Sequence, residues 1–467
     1  AAATTGGLQA TVAGLANGGT YTFTVRATNA FGGGPPSDPS AAVVPAPAVP
    51  FDTAPVPGGG TASALDPSWR RGPFLEVFVR AYRDSDGDGE GDLAGVLEKL
   101  DYVHDLGVRG LWLMPIYPSQ DRDHGYAVAN YRDVNPDYGT LAELDALLSA
   151  AHARGIGVIL DYVPNHSAAT HPGFLASQSA ASPWRPWYVW SATHPGGWTT
   201  WTGADPWRAG PTGGWYYASF DPIMPEFDWT LPAVAAYHAN SLRAWLARGV
   251  DGFRIDASPL LVENGPGLYS DQPQTRAALR GLRAVVDGYD NRFMVCEAVG
   301  YAAAYGAATV CGGAFLFSTG SLPGGTYGQL EVRAALGDPS AISALASQPF
   351  LNPIGKLGTL LGNHDRFAGK RLLATVGGDE VAYRLAAATL LLMPGIPFLY
   401  YGEEIGMAEV PLPQADPATD YHQRGPMSWT ADPGNAGFSS RPTLDGPRAV
   451  SNPAYRYLQV APNASTR

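Results

Sequence analysis

Three carboxylates in this sequence, Asp256, Glu297 and Asp365, have positions that suit bond-cleaving chemistry. Each follows a short run of apolar residues of the kind that forms a buried strand. Two carboxyl groups held close together can divide the work, one as an ionised nucleophile and the other as a proton donor. Arg254 lies two residues before Asp256 on the same face of its predicted strand, so its charge would keep that carboxylate ionised.

Eight apolar runs alternate with amphipathic stretches, which indicates repeated βα units and a parallel sheet. The candidate strands are residues 75–79, 110–114, 157–162, 252–256, 293–297, 314–317, 358–361 and 398–401. Helices are predicted between them at residues 93–106, 141–154, 233–248 and 274–286. Eight such units close into a barrel whose reactive side chains lie at the carboxyl ends of the strands. We therefore predict an α/β fold, a (β/α)8 TIM barrel with the carboxylates at one end.

The interval after the third strand, residues 167–229, is far longer than an ordinary connection and predicts an inserted subdomain, subdomain B. It contains eight of the twelve tryptophans, at positions 184, 187, 190, 198, 201, 207, 215 and 229. Aromatic rings stack on the apolar faces of sugars, so this composition favours a carbohydrate cleft beside the barrel mouth. Plain packing of an insertion with few aliphatic residues is the alternative explanation.

The N-terminal part has a different pattern from the barrel. Residues 1–44 resemble the last strands of a fibronectin type III domain, with Tyr21 as its corner tyrosine, and so predict a partial all-β domain. Residues 45–66 are rich in proline and glycine and predict a linker before the catalytic barrel at residues 67–467. No pattern typical of an eighth helix or a C-terminal β domain is recognisable after Trp429.

Composition limits the partners. The net charge of −12 disfavours nucleic acid and anionic membranes, whereas a neutral substrate is compatible with it. No apolar run is long enough to span a bilayer. The only cysteines, Cys296 and Cys311, exclude a multi-cysteine metal site and leave a single bridge between them possible. Nothing in the sequence indicates an oligomeric state.

Four segments, in order and at predicted strand ends, resemble the α-amylase family, glycoside hydrolase family 13. They are Asp161-Tyr-Val-Pro-Asn165-His166, Gly252-Phe-Arg254-Ile-Asp256-Ala, Val295-Cys-Glu297-Ala and Leu361-Gly-Asn363-His364-Asp365. The resemblance implies a retaining α-glycoside hydrolase in which Asp256 is the nucleophile and Glu297 the acid/base. It also implies that Asp365 binds sugar hydroxyls and favours the oxocarbenium-like transition state.

The same resemblance implies a set of substrate-binding residues. They are Asp123, His124, Tyr126, His166, Arg254, His364 and Arg424. His166 and His364 would bind hydroxyls of one sugar, with Tyr126 as its stacking platform. Asp161 is expected to have a structural role at its strand end.

The expected activity is hydrolysis of α-1,4-glucosidic bonds in starch or maltooligosaccharides. The alternatives are an exo-acting α-glucosidase or oligo-1,6-glucosidase, a trehalose-forming transglucosylase and, more remotely, a non-catalytic glycan- or partner-binding barrel. Asp123 and Arg424 resemble residues that close the cleft of exo-acting relatives, whereas the form His124-Gly125-Tyr126 is common in amylases.

An acidic loop follows the first predicted strand. Asp84, Asp86, Asp88, Glu90 and Asp92 alternate with small residues, and such spacing of oxygen ligands suits a hard cation. The loop resembles the calcium loop of oligosaccharide-cleaving relatives, with Glu90 contributing its backbone carbonyl, so Ca²⁺ is the expected cofactor. A second calcium site at Asn165 is left open. By analogy with secreted enzymes that carry fibronectin-like segments, export from the cell is expected.

Overall fold

A computed structural model describes residues 12, 15, 19–29, 32–43, 50–60, 63–120, 124–317, 327–347, 356–392, 394–409, 420–430 and 436–440. The chain divides into two compact units, Ala1–Asp52 and Thr53–Arg467. Within the ranges just given, no helix combines the length and the apolar character needed to cross a membrane.

The described part of the first unit is an antiparallel pairing of two chain segments. Strand β1 (Thr28–Asn29) pairs with β2 (Gly32–Gly33). The pairing continues to Tyr21 and Val43, which exchange two backbone hydrogen bonds of 2.8 Å. Between these two points the amides of Gly34, Ser37 and Ser40 donate to the carbonyls of Ala27, Val25 and Phe23, each over 2.8 Å. The fibronectin type III assignment stays a prediction.

The second unit contains a closed barrel of eight parallel strands, in the order β10-β11-β12-β13-β3-β4-β5-β9. Its strands are β3 Phe74–Val77, β4 Gly110–Leu113, β5 Gly157–Tyr162, β9 Gly252–Ile255, β10 Phe293–Cys296, β11 Ala314–Phe315, β12 Leu357–Leu360 and β13 Ile396–Tyr400. The α-helices described around and between them are α1 Leu93–Glu98, α2 Leu100–Asp105, α3 Leu141–Ala153, α4 Pro172–Ser177, α5 Pro232–Arg248, α6 Pro273–Asp287, α7 Ala302–Tyr305, α8 Tyr327–Ala335, α9 Pro339–Ser347, α10 Leu372–Thr375 and α11 Glu380–Leu392. The predicted TIM barrel is confirmed.

Large side chains fill the barrel interior and make it a core. Phe74 stacks on Phe398 with ring centroids 4.6 Å apart and on Phe293 with ring centroids 5.2 Å apart. Parallel strands are buried on both faces, which is why most residues of each strand are apolar in the sequence. The rigid interior fixes the positions of the residues at the strand ends.

Local signals explain where the helices begin and end. The Thr140 hydroxyl accepts from the Glu143 amide, and the Glu143 carboxylate accepts from the Thr140 amide, a capping box that starts α3. Helix α5 ends at Arg248 and is capped by Gly249, whose φ of 113° lies in the left-handed region that favours glycine. The single helix predicted at residues 93–106 is two short helices, α1 and α2, which meet at Lys99.

The segment between β5 and α5 contains helix α4 and a small antiparallel sheet. Its strands are β6 (Trp190–Ser191), β7 (Trp207–Ala209) and β8 (Trp215–Tyr217), with β8 in the middle. Much of its aromatic content packs internally: Trp207 contacts Tyr217 with ring centroids 5.3 Å apart. The assignment of residues 167–229 as a separate subdomain stays a prediction.

Candidate active site

The first two carboxylates lie side by side at the carboxyl end of the barrel. Asp256 follows β9 and Glu297 follows β10, and these strands pair in a register that sets Ile255 beside Cys296. Asp256 is 7% exposed and Glu297 is 8% exposed, so both are largely removed from bulk water. Parallel strands with adjacent ends therefore place two carboxyl groups together, as the sequence predicts.

Backbone features next to the two carboxylates explain their placement. A Cβ atom at Gly252 would lie 1.9 Å from the carbonyl oxygen of Phe293, so only glycine allows β9 and β10 to pack this closely. Ala257 has φ 45° and ψ 33°, a left-handed conformation that is uncommon outside glycine. This turn aims the Ala257 amide at the Glu297 carboxylate, to which it donates over 2.9 Å. The residue after Asp256 therefore also orients Glu297.

Arg254 joins both carboxylates to the barrel. Its Nη1 lies 2.5 Å from Asp256 Oδ1 and 2.8 Å from Asp161 Oδ1. Its Nη2 lies 3.0 Å from Glu297 Oε2. The sequence predicted the contact with Asp256, and the structure adds the bridge to Glu297. A guanidinium with several fixed donors suits such bridging, whereas a lysine ammonium does not.

Burial and the neighbouring charges shift the pKa of Asp256. Burial raises the pKa of Asp256; Arg254 opposes that rise, and the nearby carboxylates of Glu297 and Asp161 add to it. Burial and the neighbouring carboxylates thus leave the pKa of Asp256 above its ordinary value, although the charge of Arg254 opposes them. Displacement at a sugar requires one ionised carboxylate and one protonated carboxyl group.

The third carboxylate, Asp365, is held by two cationic side chains. His364 Nε2 lies 3.1 Å from Asp365 Oδ2, and Arg424 Nη2 lies 3.2 Å from Asp365 Oδ1. Burial acts to raise the pKa of Asp365, but the charge and hydrogen bond of His364, with the charges of Arg424 and Arg254, lower it overall. Asp365 is therefore ionised at neutral pH.

His364 connects Asp365 to a carboxylate on the first barrel strand, since its Nδ1 is hydrogen bonded to the buried Glu76 of β3. Burial alone would lower the pKa of His364, but Asp365 and Glu76 raise it to about 10. An imidazolium whose two N–H groups face carboxylates has a fixed orientation and donates to both.

Asp161, which contacts Arg254, is in turn hydrogen bonded to Tyr126. The Tyr126 hydroxyl donates to Asp161 Oδ2 over 2.8 Å and lies 2.7 Å from His364 Nε2. Asp161 also accepts from Trp112 Nε1 over 3.2 Å, and it is fully buried. These contacts agree with a structural role for Asp161 and place Tyr126 at the site, with its ring stacked on His364 at 5.5 Å.

The other predicted sugar-binding residues have differing positions. His166 is buried, and within the described part of the chain its Nε2 has no hydrogen-bond partner. His124 is fully buried and stacks on Phe78 with ring centroids 5.0 Å apart. Asp123 lies outside the described residues. Arg424 is buried, and its Nε donates to the His364 carbonyl over 3.0 Å, so its side chain is tied to the Asp365 segment.

Sequence reasoning missed two carboxylates that act on the site through neighbours. Glu76 holds His364, and Asp420 lies 3.4 Å from Arg424 Nη2. Glu76 had a usable signal, because it is the single charged residue in the buried run 74–79. Asp420 had no such signal, because no motif recognised in the sequence includes it.

Cys296 and Cys311 form the disulfide that the sequence left open, with Cα atoms 6.1 Å apart. Cys296 is the last residue of β10 and directly precedes Glu297. Its amide also donates to the Gly313 carbonyl over 3.0 Å. The residue before Glu297 is thus fixed both covalently and by hydrogen bonding.

Three of the five predicted calcium ligands converge. Asp84, Asp86 and Asp88 each offer a carboxylate oxygen, and these oxygens lie within 4.8 Å of one another. All the candidate ligand atoms are oxygens, the ligand type that a hard cation such as Ca²⁺ binds. A bound cation would also offset the mutual repulsion of the three carboxylates. The donor set therefore fits calcium.

The other two acidic residues of the loop have different partners. Asp92 caps α1, where it accepts from the Gly95 amide over 2.6 Å and from the Ser85 amide over 2.9 Å. The Glu90 carboxylate forms a buried ion pair with Arg80, so only the backbone carbonyl of Glu90 stays as the predicted ligand. The contacts of Asp92 and Glu90 therefore stabilise the conformation of the loop.

The sequence matches a known protein family over nearly the whole barrel, including the strand ends that carry the candidate active site, and it is similar to several known proteins. The family described as "Alpha amylase, catalytic domain" matches residues 76–460. The chain is 34% identical over 430 residues to "Trehalose synthase/amylase TreS" of Mycobacterium tuberculosis (strain CDC 1551 / Oshkosh), which covers 82% of this chain and 69% of that protein. It is 32% identical over 388 residues to "Alpha-glucosidase" of Apis mellifera, which covers 74% of this chain and 66% of that protein.

A solved structure has the same architecture. The crystal structure of the alpha-glucosyl transfer enzyme XgtA superposes with a TM-score of 0.69 at 28% identity. The match covers 80% of this chain and 77% of that chain.

Proposed function

Because this chain belongs to the α-amylase catalytic-domain family, an enzyme family of glycoside hydrolases and transglycosylases, we propose that it releases glucose from the non-reducing end of short α-glucosides. The observation that carries the proposal is the bridge of Arg254 between Asp256 and Glu297, with Asp365 held ionised beside them by His364. This arrangement supplies a nucleophile, a proton donor and a further negative charge for an α-glucoside.

The reaction proceeds by double displacement. Asp256 attacks the anomeric carbon as Glu297 gives its proton to the departing glycosidic oxygen, and a glucosyl ester on Asp256 results. Glu297, now ionised, takes a proton from water, and that water displaces the Asp256 carboxylate with overall retention. If a sugar hydroxyl replaces the water, the same two steps transfer the glucosyl unit.

The remaining side chains position these groups and stabilise developing charge. Arg254 contacts both carboxylates and so fixes their positions relative to each other. Asp365, kept ionised by His364 and Arg424, places negative charge where the sugar becomes oxocarbenium-like. The buried Nε2 of His166, which has no hydrogen-bond partner among the residues that the structure describes, offers a bond to a sugar hydroxyl.

Action on short substrates from one end is favoured by two findings. Relatives are named as an α-glucosidase and as a trehalose synthase/amylase, and the solved neighbour as an α-glucosyl transfer enzyme. In addition, Arg424, which resembles a residue that closes the cleft of exo-acting relatives, is buried and contacts Asp365. Starch hydrolysis, the first expectation from the sequence, is kept as the second candidate because the names of several relatives include amylase, among them "Alpha-amylase 3" of Dictyoglomus thermophilum.

The product pattern tests the proposal. On a maltooligosaccharide labelled at its reducing end, we expect stepwise release of unlabelled glucose, and faster turnover of maltotriose, isomaltose or trehalose than of starch. The Asp256→Asn variant is the control for contaminating glucosidases. Mixed internal fragments from the labelled chain would instead establish the amylase reading.

We also propose that Asp84, Asp86 and Asp88 bind Ca²⁺ with the Glu90 carbonyl. The loop directly precedes α1, so an ion there would stabilise the connection between β3 and the next barrel unit. It would take no part in bond cleavage.

Removal of the ion is expected to lower the melting temperature by about 5 °C, because an ion bound only by the native state stabilises it by mass action. The measurement is thermal unfolding with excess chelator and after addition of Ca²⁺. Asp86→Ala should abolish the difference, whereas Asp105→Ala, an exposed aspartate beside His104, should keep it. An unchanged melting temperature in the wild-type protein, with no calcium by elemental analysis, would contradict this assignment.

A further inference from the structure

Two large aromatic rings are exposed beside His166. Trp201 is 48% exposed and Phe220 is 39% exposed, and their ring centroids lie 4.7 Å apart at 60°. Phe220 also packs against the His166 ring at 5.1 Å. The three rings therefore form a continuous row, which we call the aromatic row, from the buried His166 out to solvent at Trp201.

The exposure of Trp201 is unusual for its residue type in this protein. Among the tryptophans that the structure describes, it alone is exposed, while the others are buried or half-buried. A tryptophan that served only to pack the inserted segment would bury its ring, as Trp207 does against Tyr217. An exposed indole face costs hydrophobic free energy unless a ligand covers it.

The backbone presents Trp201 in a closed turn. The Thr200 amide donates to the Ala204 carbonyl over 2.8 Å, and the Gly203 amide donates to the Thr200 carbonyl over 3.0 Å. The hydroxyls of Thr200 and Thr202, on either side of Trp201, lie 2.7 Å apart. Because the turn is already ordered, binding to the ring costs little conformational entropy.

The inner end of the row points to a polar, neutral ligand. His166 Nε2 is buried and has no partner among the described residues, and burial lowers the pKa of His166 to about 3, so the ring is neutral. A neutral imidazole nitrogen suits a hydroxyl group, and a flat aromatic face suits the apolar face of a pyranose ring. A sugar chain offers both features in successive units.

We propose that Trp201, supported edge-on by Phe220, is the stacking platform for the glucosyl unit adjoining the one that His166 contacts. This inference rests on the proposed function, which it deepens by assigning a second sugar-binding position to the inserted segment. The platform acts on substrates of two or more sugars and leaves the bond-cleaving groups unchanged.

The test compares a substrate with a second sugar that can stack on Trp201 and a substrate without one. Maltotriose extends beyond the first sugar, whereas α-D-glucosyl fluoride consists of one sugar and a small leaving group. Trp201→Ala is expected to lower kcat/KM for maltotriose about tenfold, mainly through KM, and to change the value for the fluoride by less than about twofold. Trp201→Phe, which keeps a stacking face, should recover most of the loss.

The matched control is Trp215→Ala, a half-exposed tryptophan of the same segment whose ring packs against His194 at 4.4 Å. It should leave both substrates at wild-type values, and thermal unfolding would confirm that each variant folds. An equal loss on both substrates, or no loss on maltotriose, would overturn the platform. Failure of the wild-type enzyme to cleave either substrate would instead contradict the proposed function.

Discussion

Asp256→Asn is expected to lower kcat by about four orders of magnitude or more, the scale observed when a catalytic nucleophile is removed. An amide keeps the size of the side chain and can still contact Arg254 through its oxygen, but it cannot form the glucosyl ester. The effect should be the same for maltotriose and for α-D-glucosyl fluoride, because both substrates require the nucleophile.

The variant must be shown to fold before the loss is interpreted. Its melting temperature should stay close to the wild-type value, since Arg254 also has Asp161 and Glu297 as partners. Asp105→Asn, at an exposed position, is the matched control and should retain full activity. Activity of Asp256→Asn within tenfold of the wild type would remove Asp256 from its assigned role.

The barrel was predictable because each strand is marked by the apolar pattern of its own residues. A strand buried on both faces is a mostly apolar run, and each predicted strand matches the observed one to within two residues at either end. The reactive residues follow from the same rule, because Asp256 and Glu297 come directly after two such runs. Helix boundaries were predictable where a capping box or a terminal glycine marks them, as at Thr140 and Gly249.

The contacts around the carboxylates were less predictable, because they depend on distances across the barrel. Nothing near Arg254 in the sequence indicates that it reaches Glu297 as well as Asp256. Glu76 and His364 are far apart along the chain and meet only when the barrel closes. The acidic loop shows the same limit, since equal spacing made Asp92 look like a ligand, whereas its position before α1 makes it a helix cap.

Glu297→Gln is expected to lower turnover of maltotriose by about three orders of magnitude, because the departing sugar oxygen then lacks a proton donor. Fluoride leaves without that help, so formation of the glucosyl ester from α-D-glucosyl fluoride should be largely spared. The second step still needs Glu297 to activate water, so this variant should stall after the first step.

Mass spectrometry of Glu297→Gln after reaction with α-D-glucosyl fluoride tests this account most directly. We expect one added glucosyl unit on the intact protein and, after digestion, on the peptide that contains Asp256. Asp256→Asn in the same background should carry no label. A glucosyl unit attached at another residue, or rapid fluoride release with no covalent species, would contradict the assignment of Asp256 as nucleophile and Glu297 as acid/base.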